Sequence, residues 1–180
     1  MEQCTEEEVQ RLLPQVNAQR REQALRYKHT FGQFCCLKSW LMLNAMHIGE
    51  MEFLYNEHGK PYIDGGPYFS ISHCKEGIAV AIDDQPIGID IEAIRHADED
   101  LILRTMNEKE QARLREAVQT DRTFTRLWTQ KEAILKMEGI GITSFEQLQK
   151  LSISDYRIQT TEKDKYIYSI AYGKLHCIGA

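Results

Sequence analysis

Five charged side chains in two short stretches have the types and spacing to handle a phosphate. In GIDIE, residues 88–92, side chains of a strand alternate between faces, so Ile87, Ile89 and Ile91 point one way and Gly88, Asp90 and Glu92 the other. Two carboxylates on one face repel each other and raise each other's proton affinity unless a cation lies between them. A small hard divalent ion prefers oxygen ligands, which makes magnesium the natural candidate. An alternating strand with its polar side in water is the plainer reading of the same residues.

The second stretch is LWTQKEAILK, residues 127–136. At 100° per residue, Phe124, Leu127, Trp128, Ile134 and Leu135 gather on one helical face, and Lys131 falls within that arc. Glu132 and Lys136 follow at its margin, one turn apart. Packing this helix on the sheet brings Glu132 to the same ion as Asp90 and Glu92, and leaves Lys131 and Lys136 as phosphate partners beside the metal, where a lysine serves as a mobile point charge. Otherwise Glu132 and Lys136 form a surface i,i+4 ion pair contributing only about 0.3 to 0.5 kcal/mol, and Lys131 runs its stem along apolar neighbours to water.

The elements that must carry these groups can be traced along the chain. Residues 6–48 read as helical in two pieces, the second apolar on nearly every side and therefore buried. From Met51 a meander of short strands follows, turning at His58-Gly59 and at Lys75-Glu76-Gly77, with the acidic strand as its third run. Asn107 with Glu110 is a capping-box signature for a helix to about Val118, Asp121 caps the next helix, and that helix ends at Gly139. KLSISDYRIQ, KYIYSIAYG and KLHCIG are again strand-rich. Helices then strands, twice, with a seam near Pro86, predict an α+β fold of two similar halves, 1–86 and 87–180, each with helices packed on a small, mostly antiparallel sheet.

Composition narrows the partners. A net charge of -5 disfavours nucleic acid, whose phosphate backbone is met by a basic surface. Arg20, Arg21, Arg26, Lys28 and Lys38, with Glu22 the only acid among them, are either a patch for a small anion or a solvated helix face. The start is acidic and no apolar run approaches the roughly 18 residues of a membrane span, so neither a signal peptide nor a transmembrane segment is expected and the protein is placed in the cytoplasm. Five cysteines without CxxC or Cys/His spacing are read as reduced thiols. In FSISHC, Ser72 and His73 are adjacent and project to opposite strand faces, with no Gly-x-Ser-x-Gly elbow, so they suit hydrogen bonding to phosphate and not a hydrolase triad.

GKP at 59–61, FSISH at 69–73, GIDIE at 88–92 and FTRLWTQKEAILKMEGIGI at 124–142 resemble, in order and spacing, the motifs of 4'-phosphopantetheinyl transferases, in the longer, surfactin-synthetase-activating subfamily. That resemblance implies a monomer whose two halves enclose the active site at their junction, and transfer of the phosphopantetheine arm of coenzyme A to a serine of an apo acyl or peptidyl carrier protein, releasing adenosine 3',5'-bisphosphate. It implies that Asp90, Glu92 and Glu132 hold magnesium against the pyrophosphate and that Glu132 helps deprotonate the carrier serine. Lys60, Ser72 and His73 are then expected at the phosphorylated adenosine end, with Arg20 and Arg21 from the basic cluster, and Lys131 and Lys136 at the pyrophosphate. Lys109, Arg113 and Arg115 are nominated for docking an acidic carrier. Gln33 departs from the arginine usual in the family, and the family's first strand is missing. A magnesium-dependent nucleotide phosphohydrolase and a non-catalytic module binding coenzyme A or a carrier are the alternatives.

Overall fold

The computed structural model describes residues 4–174. Three helices open the chain where two stretches were expected. In α1 (Glu6–Leu12) the Thr5 hydroxyl accepts from the Glu8 N–H and Glu6, Glu7 and Glu8 complement the positive end of the helix dipole. Pro14 closes it in a single 3₁₀ turn, and Asn17 then caps α2 (Ala18–Leu25) by accepting from the Arg20 N–H. After a second break, α3 (Thr30–Ala45) buries Phe34, Leu37, Trp40 and Leu43.

Two hairpins follow. Strands β1 (Leu54–Tyr55) and β2 (Pro61–Tyr62) close through Asn56, whose side-chain oxygen accepts from the N–H groups of His58 and Lys60, while Gly59 takes a left-handed φ of 79°. Strands β3 (Tyr68–Cys74) and β4 (Gly77–Asp83) form a tight antiparallel pair with Cys74 opposite Gly77. The expected meander stops there. β5 (Gly88–Ala93) pairs instead with the distant β7 (Tyr166–Lys174), which also pairs with β6 (Tyr156–Glu162), giving the order β5-β7-β6. The KLHCIG run lies almost wholly outside the described residues.

The free edge of β5 faces β3, and serine hydroxyls stand in for a backbone ladder. The Ile89 N–H donates to Ser70 Oγ at 3.0 Å and the Ile91 N–H to Ser72 Oγ at 3.3 Å, so two buried donors are satisfied across the seam. Below it, Ile87, Ile89 and Ile91 pack with Ala79, Ala81 and Tyr168, joining β4, β5 and β7 in shared apolar clusters.

The other face of β5 meets α6 (Thr120–Glu138) and not water, which decides between the two readings of that strand. The approach requires Gly88: a Cβ there would lie 2.0 Å from the Ala133 carbonyl oxygen and 2.4 Å from the Met137 nitrogen. α6 stops at Gly139, which takes a φ of 77°. Its start differs from expectation, because Asp121 sits inside the first turn and its carboxylate accepts from the Ala97 N–H, leaving Gln119 at the cap without a side-chain bond. α4 (Glu99–Thr105), α5 (Glu108–Arg115) and α7 (Phe145–Lys150) cover the far side of α6, and the Asn107–Glu110 capping box on α5 is formed in both directions. Among the described residues no helix is long and apolar enough to cross a membrane.

Candidate active site

Strand β5 and helix α6 bring together four of the residues singled out in the sequence. Asp90 is 3% exposed; its Oδ1 accepts from Lys136 Nζ at 2.7 Å and from Ser72 Oγ at 2.9 Å. Lys136 also donates to Ser72 Oγ at 2.8 Å, which fills that hydroxyl on every side. The second carboxylate oxygen of Asp90, Oδ2, is buried with no hydrogen-bond partner. Such an atom is costly in a folded protein.

The neighbouring acids show the same deficit of positive charge. Burial, then the negative charge of Asp90, raises the Glu132 carboxyl to about 7, with Glu92 adding to the rise and Lys136 and Arg95 opposing it. Glu92 is also pushed up, by burial first and Asp90 second, against Arg95, Lys136 and a hydrogen bond from Trp128. Three carboxyl groups thus act on one another around Lys136. Among the described residues no three His, Cys, Asp or Glu side chains are clustered tightly enough to form a closed metal cage, and Lys136 supplies the counter-charge on Asp90. An unpartnered carboxylate oxygen flanked by two acids that resist ionisation nevertheless fits a hard divalent cation.

A groove leads away from this cluster across β3. Lys136, Ser70, Lys60 and Gly141 line a cleft of about 220 Å³ whose floor is Phe69 and Ile71. The same two side chains, with Gly59 and Pro61, form part of an adjoining pocket of about 210 Å³ that ends at Arg20, Tyr27, Cys36 and His73. Arg20 stacks over Phe53, 5.5 Å from the ring centroid, and His73 sits edge-on to Phe31. Adjacent residues on β3 face differently: Ser72 bonds Asp90 and Lys136, away from the expected nucleotide end, whereas His73 lines the pocket that Arg20 closes, where burial and the Lys136 charge lower its proton affinity. Lys60 lies between them, half-buried, its ammonium donating to the carbonyls of Met137 at 3.2 Å and Ile87 at 3.5 Å, which ties the first hairpin to the end of α6.

Two expected ligand residues are elsewhere. Lys131 is fully buried and faces away from the groove: its Nζ pairs with Glu110 at 2.7 Å and donates to the carbonyls of Leu148 at 2.6 Å and Thr105 at 3.0 Å. All three of its N–H donors are used, so it has none for a pyrophosphate. The expectation failed because a step of one residue turns a side chain through 100°, and α6 is covered by protein on that side too. Arg21 is the other. Its guanidinium donates to the carbonyls of Leu13 and Val16, and it does not line the groove. Of the remaining basic cluster, Arg26 pairs with Glu22 and Lys38 faces Glu8. Gln33 donates to the Tyr27 carbonyl.

Sequence reasoning missed Arg95, Trp128 and Ser70. Arg95 stacks over Trp128, 4.7 Å from the ring centroid, and its charge reaches Glu92 and Glu132. The only available signal was that Trp128, Glu132 and Lys136 share one helical stripe at intervals of four. Lys109, Arg113 and Arg115 are exposed on α5.

Residues 86–175, half of the chain, match the family model of the 4'-phosphopantetheinyl transferase superfamily. The chain is 30% identical over 147 residues to a 4'-phosphopantetheinyl transferase of Bacillus subtilis, covering 76% of this chain and 66% of that protein. It is 32% identical over 118 residues to 4'-phosphopantetheinyl transferase gsp of Aneurinibacillus migulanus, covering 64% and 50%. Over 96 residues it is 38% identical to 4'-phosphopantetheinyl transferase AcpT of Salmonella typhi, covering 49% and 50%. The chain therefore spans about half to two thirds of the length of these relatives.

Proposed function

Because the chain belongs to the 4'-phosphopantetheinyl transferase superfamily, we propose that it transfers the 4'-phosphopantetheine arm of coenzyme A to a serine hydroxyl of an apo acyl or peptidyl carrier protein. The observation that carries this reading is the convergence of Asp90, Glu92, Glu132 and Lys136 beside a groove whose far end holds Arg20, with His73 lining the groove within electrostatic reach of Lys136 and Asp90. An elongated anion with a pyrophosphate near one end and a further phosphate at the other matches that distribution of charge.

Asp90, Glu92 and Glu132 would hold magnesium, which when bound neutralises pyrophosphate charge and polarises the phosphorus that is attacked. Lys136, which bonds Asp90 at 2.7 Å, would also contact a pyrophosphate oxygen. Arg20 and His73 hold the nucleotide phosphate, and Phe69 and Ile71 carry the ligand over β3. The carrier serine oxygen attacks the phosphorus bearing pantetheine, a new P–O bond forms, and the bond to the adenosine bisphosphate breaks in line with it. Glu132, at the margin of the same cluster, accepts the serine proton. No covalent enzyme intermediate is required. This reading places a monomeric enzyme in the cytoplasm, with Lys109, Arg113 and Arg115 meeting the acidic carrier.

Incubation with coenzyme A, magnesium and an apo carrier tests it by intact-protein mass. The carrier is expected to gain one phosphopantetheine, with one adenosine 3',5'-bisphosphate released per carrier. Nucleotide release without carrier modification would make the protein a hydrolase, and coenzyme A binding without turnover would make it a binding module.

A further inference from the structure

The buried lysine that the mechanism leaves unused sits one residue before Glu132. We propose that Lys131 is a positioning residue, which together with Glu110 sets the rotation of α6 about its own axis and so aims Glu132 and Lys136 at Asp90. The three acceptors around its ammonium come from three separate elements: the Thr105 carbonyl at the end of α4, the Glu110 carboxylate in the first turn of α5, and the Leu148 carbonyl of α7. Glu110 is itself held, because its Oε2 also accepts from the Asn107 N–H at 2.8 Å in the capping box. One side chain of α6 thereby registers against three neighbours through directional bonds.

Apolar contacts do not supply this. The Gly88 contact fixes how closely α6 approaches β5, and Phe124, Leu127 and Ile134 fill volume, but dispersion and hydrophobic burial are non-directional and tolerate rotation. Rotation matters here. A carboxylate about 5 Å from the helix axis moves by roughly 2 Å for a turn of about 20°, and a misplacement of that order in a phosphoryl-transfer site costs about a hundredfold in rate. A buried ion pair can often be replaced by apolar residues without loss of stability, so its presence here is better explained by orientation than by stability. The kinetic part of the inference rests on the transferase reading; the part concerning the carboxylates does not.

Lys131→Met alone strands the buried Glu110 charge, so the decisive protein is Lys131→Met with Glu110→Gln, in which glutamine retains the capping box. It is compared with the wild type and with Glu110→Gln by circular dichroism and thermal melting, by Mn2+ titration without coenzyme A, and by the kcat and KM of carrier loading. The double variant is expected to keep its helical spectrum and cooperative melting while its Mn2+ Kd rises about tenfold or more. Its kcat is expected to fall about a hundredfold, and the KM for coenzyme A to rise by a smaller factor because Lys136 no longer meets the pyrophosphate squarely. A folded double variant with wild-type Mn2+ affinity and kcat overturns the proposal, as does a wild-type protein that binds no Mn2+. Should the double variant not fold, Glu110→Gln decides, with a weakened Mn2+ affinity supporting the proposal and an unchanged one sinking it. If the wild type binds Mn2+ but loads no carrier, the transferase reading fails, and the Mn2+ comparison still judges the role of Lys131.

Discussion

A glutamate that ionises only near neutrality is an expensive group to keep in a folded protein and a useful one to keep in an active site. Glu132 is held at about 7 by burial and by Asp90, against 4.5 for an unperturbed glutamate. Between these values the folded, metal-free protein binds more protons than the unfolded chain, so this group's contribution favours folding at low pH and is lost as pH rises from about 4.5 to about 7. In the presence of a chelator, Glu132→Gln should flatten that decline and stabilise the protein at pH 8 by on the order of 2 kcal/mol, while abolishing carrier loading. Magnesium should raise the wild-type melting temperature at pH 8 more than that of the variant. A variant that at pH 8 with chelator melts no higher than the wild type would show that the Glu132 carboxylate is not under electrostatic pressure. At this scale the sequence singled out the acids and Lys136 because each falls where a strand or helix pattern turns charge toward the rest of the protein. Lys131 was misread for the same reason: periodicity marks a charge on an apolar face without saying which partner waits behind it.

At the scale of elements, the site depends on how closely one strand and one helix approach. β5 and α6 carry the acids on facing sides, and the missing side chain of Gly88 lets their backbones meet. Gly88→Ala would place a methyl against the Ala133 carbonyl and the Met137 nitrogen, both backbone atoms that cannot swing aside. The expected cost is about 2 to 3 kcal/mol of stability, with carrier loading reduced further than the folded fraction accounts for, because α6 must lift from Asp90. A melting temperature within a degree of wild type would mean that the helix relaxes freely and that its distance from β5 is not critical. Helix limits were largely legible where caps are local, at Asn107–Glu110 and at Gly139. Asp121 was misplaced by two residues because its carboxylate is drawn to the Ala97 N–H of a loop that no local rule connects with it.

For the whole molecule, the question is whether its two blocks of helices and strands act as one. Ser70 and Ser72 carry hydrogen bonds from β3 to β5, Asn56 donates to the Gly139 carbonyl at 2.7 Å, and two apolar clusters that share Ala79 and Tyr168 join β4, β5 and β7. The groove crosses the same seam, so ligand binding would draw on both blocks. The two tryptophans make this measurable: Trp40 lies in α3 and Trp128 in α6. Trp40→Phe and Trp128→Phe each leave a single reporter, and each protein's fluorescence should lose its native signal at the same denaturant concentration as its circular dichroism. Separated transitions would mean that the blocks unfold independently and that the serine seam couples them weakly.

The amino-acid order was enough to establish an α+β chain, most of its caps and turns, and the set of acids and the lysine that could serve phosphate chemistry. All of these follow from neighbours within about one or two turns of each other in the chain. Tertiary structure decided that β5 pairs with β7, that Ser72 joins Asp90, that Arg20 faces the groove while Arg21 caps carbonyls, and that Lys136 bonds Asp90 while Lys131 pairs with Glu110 on the other side of α6. Each of those choices depends on which surfaces meet after the chain has folded back on itself, and a helix or strand pattern is equally satisfied whichever partner covers a given face.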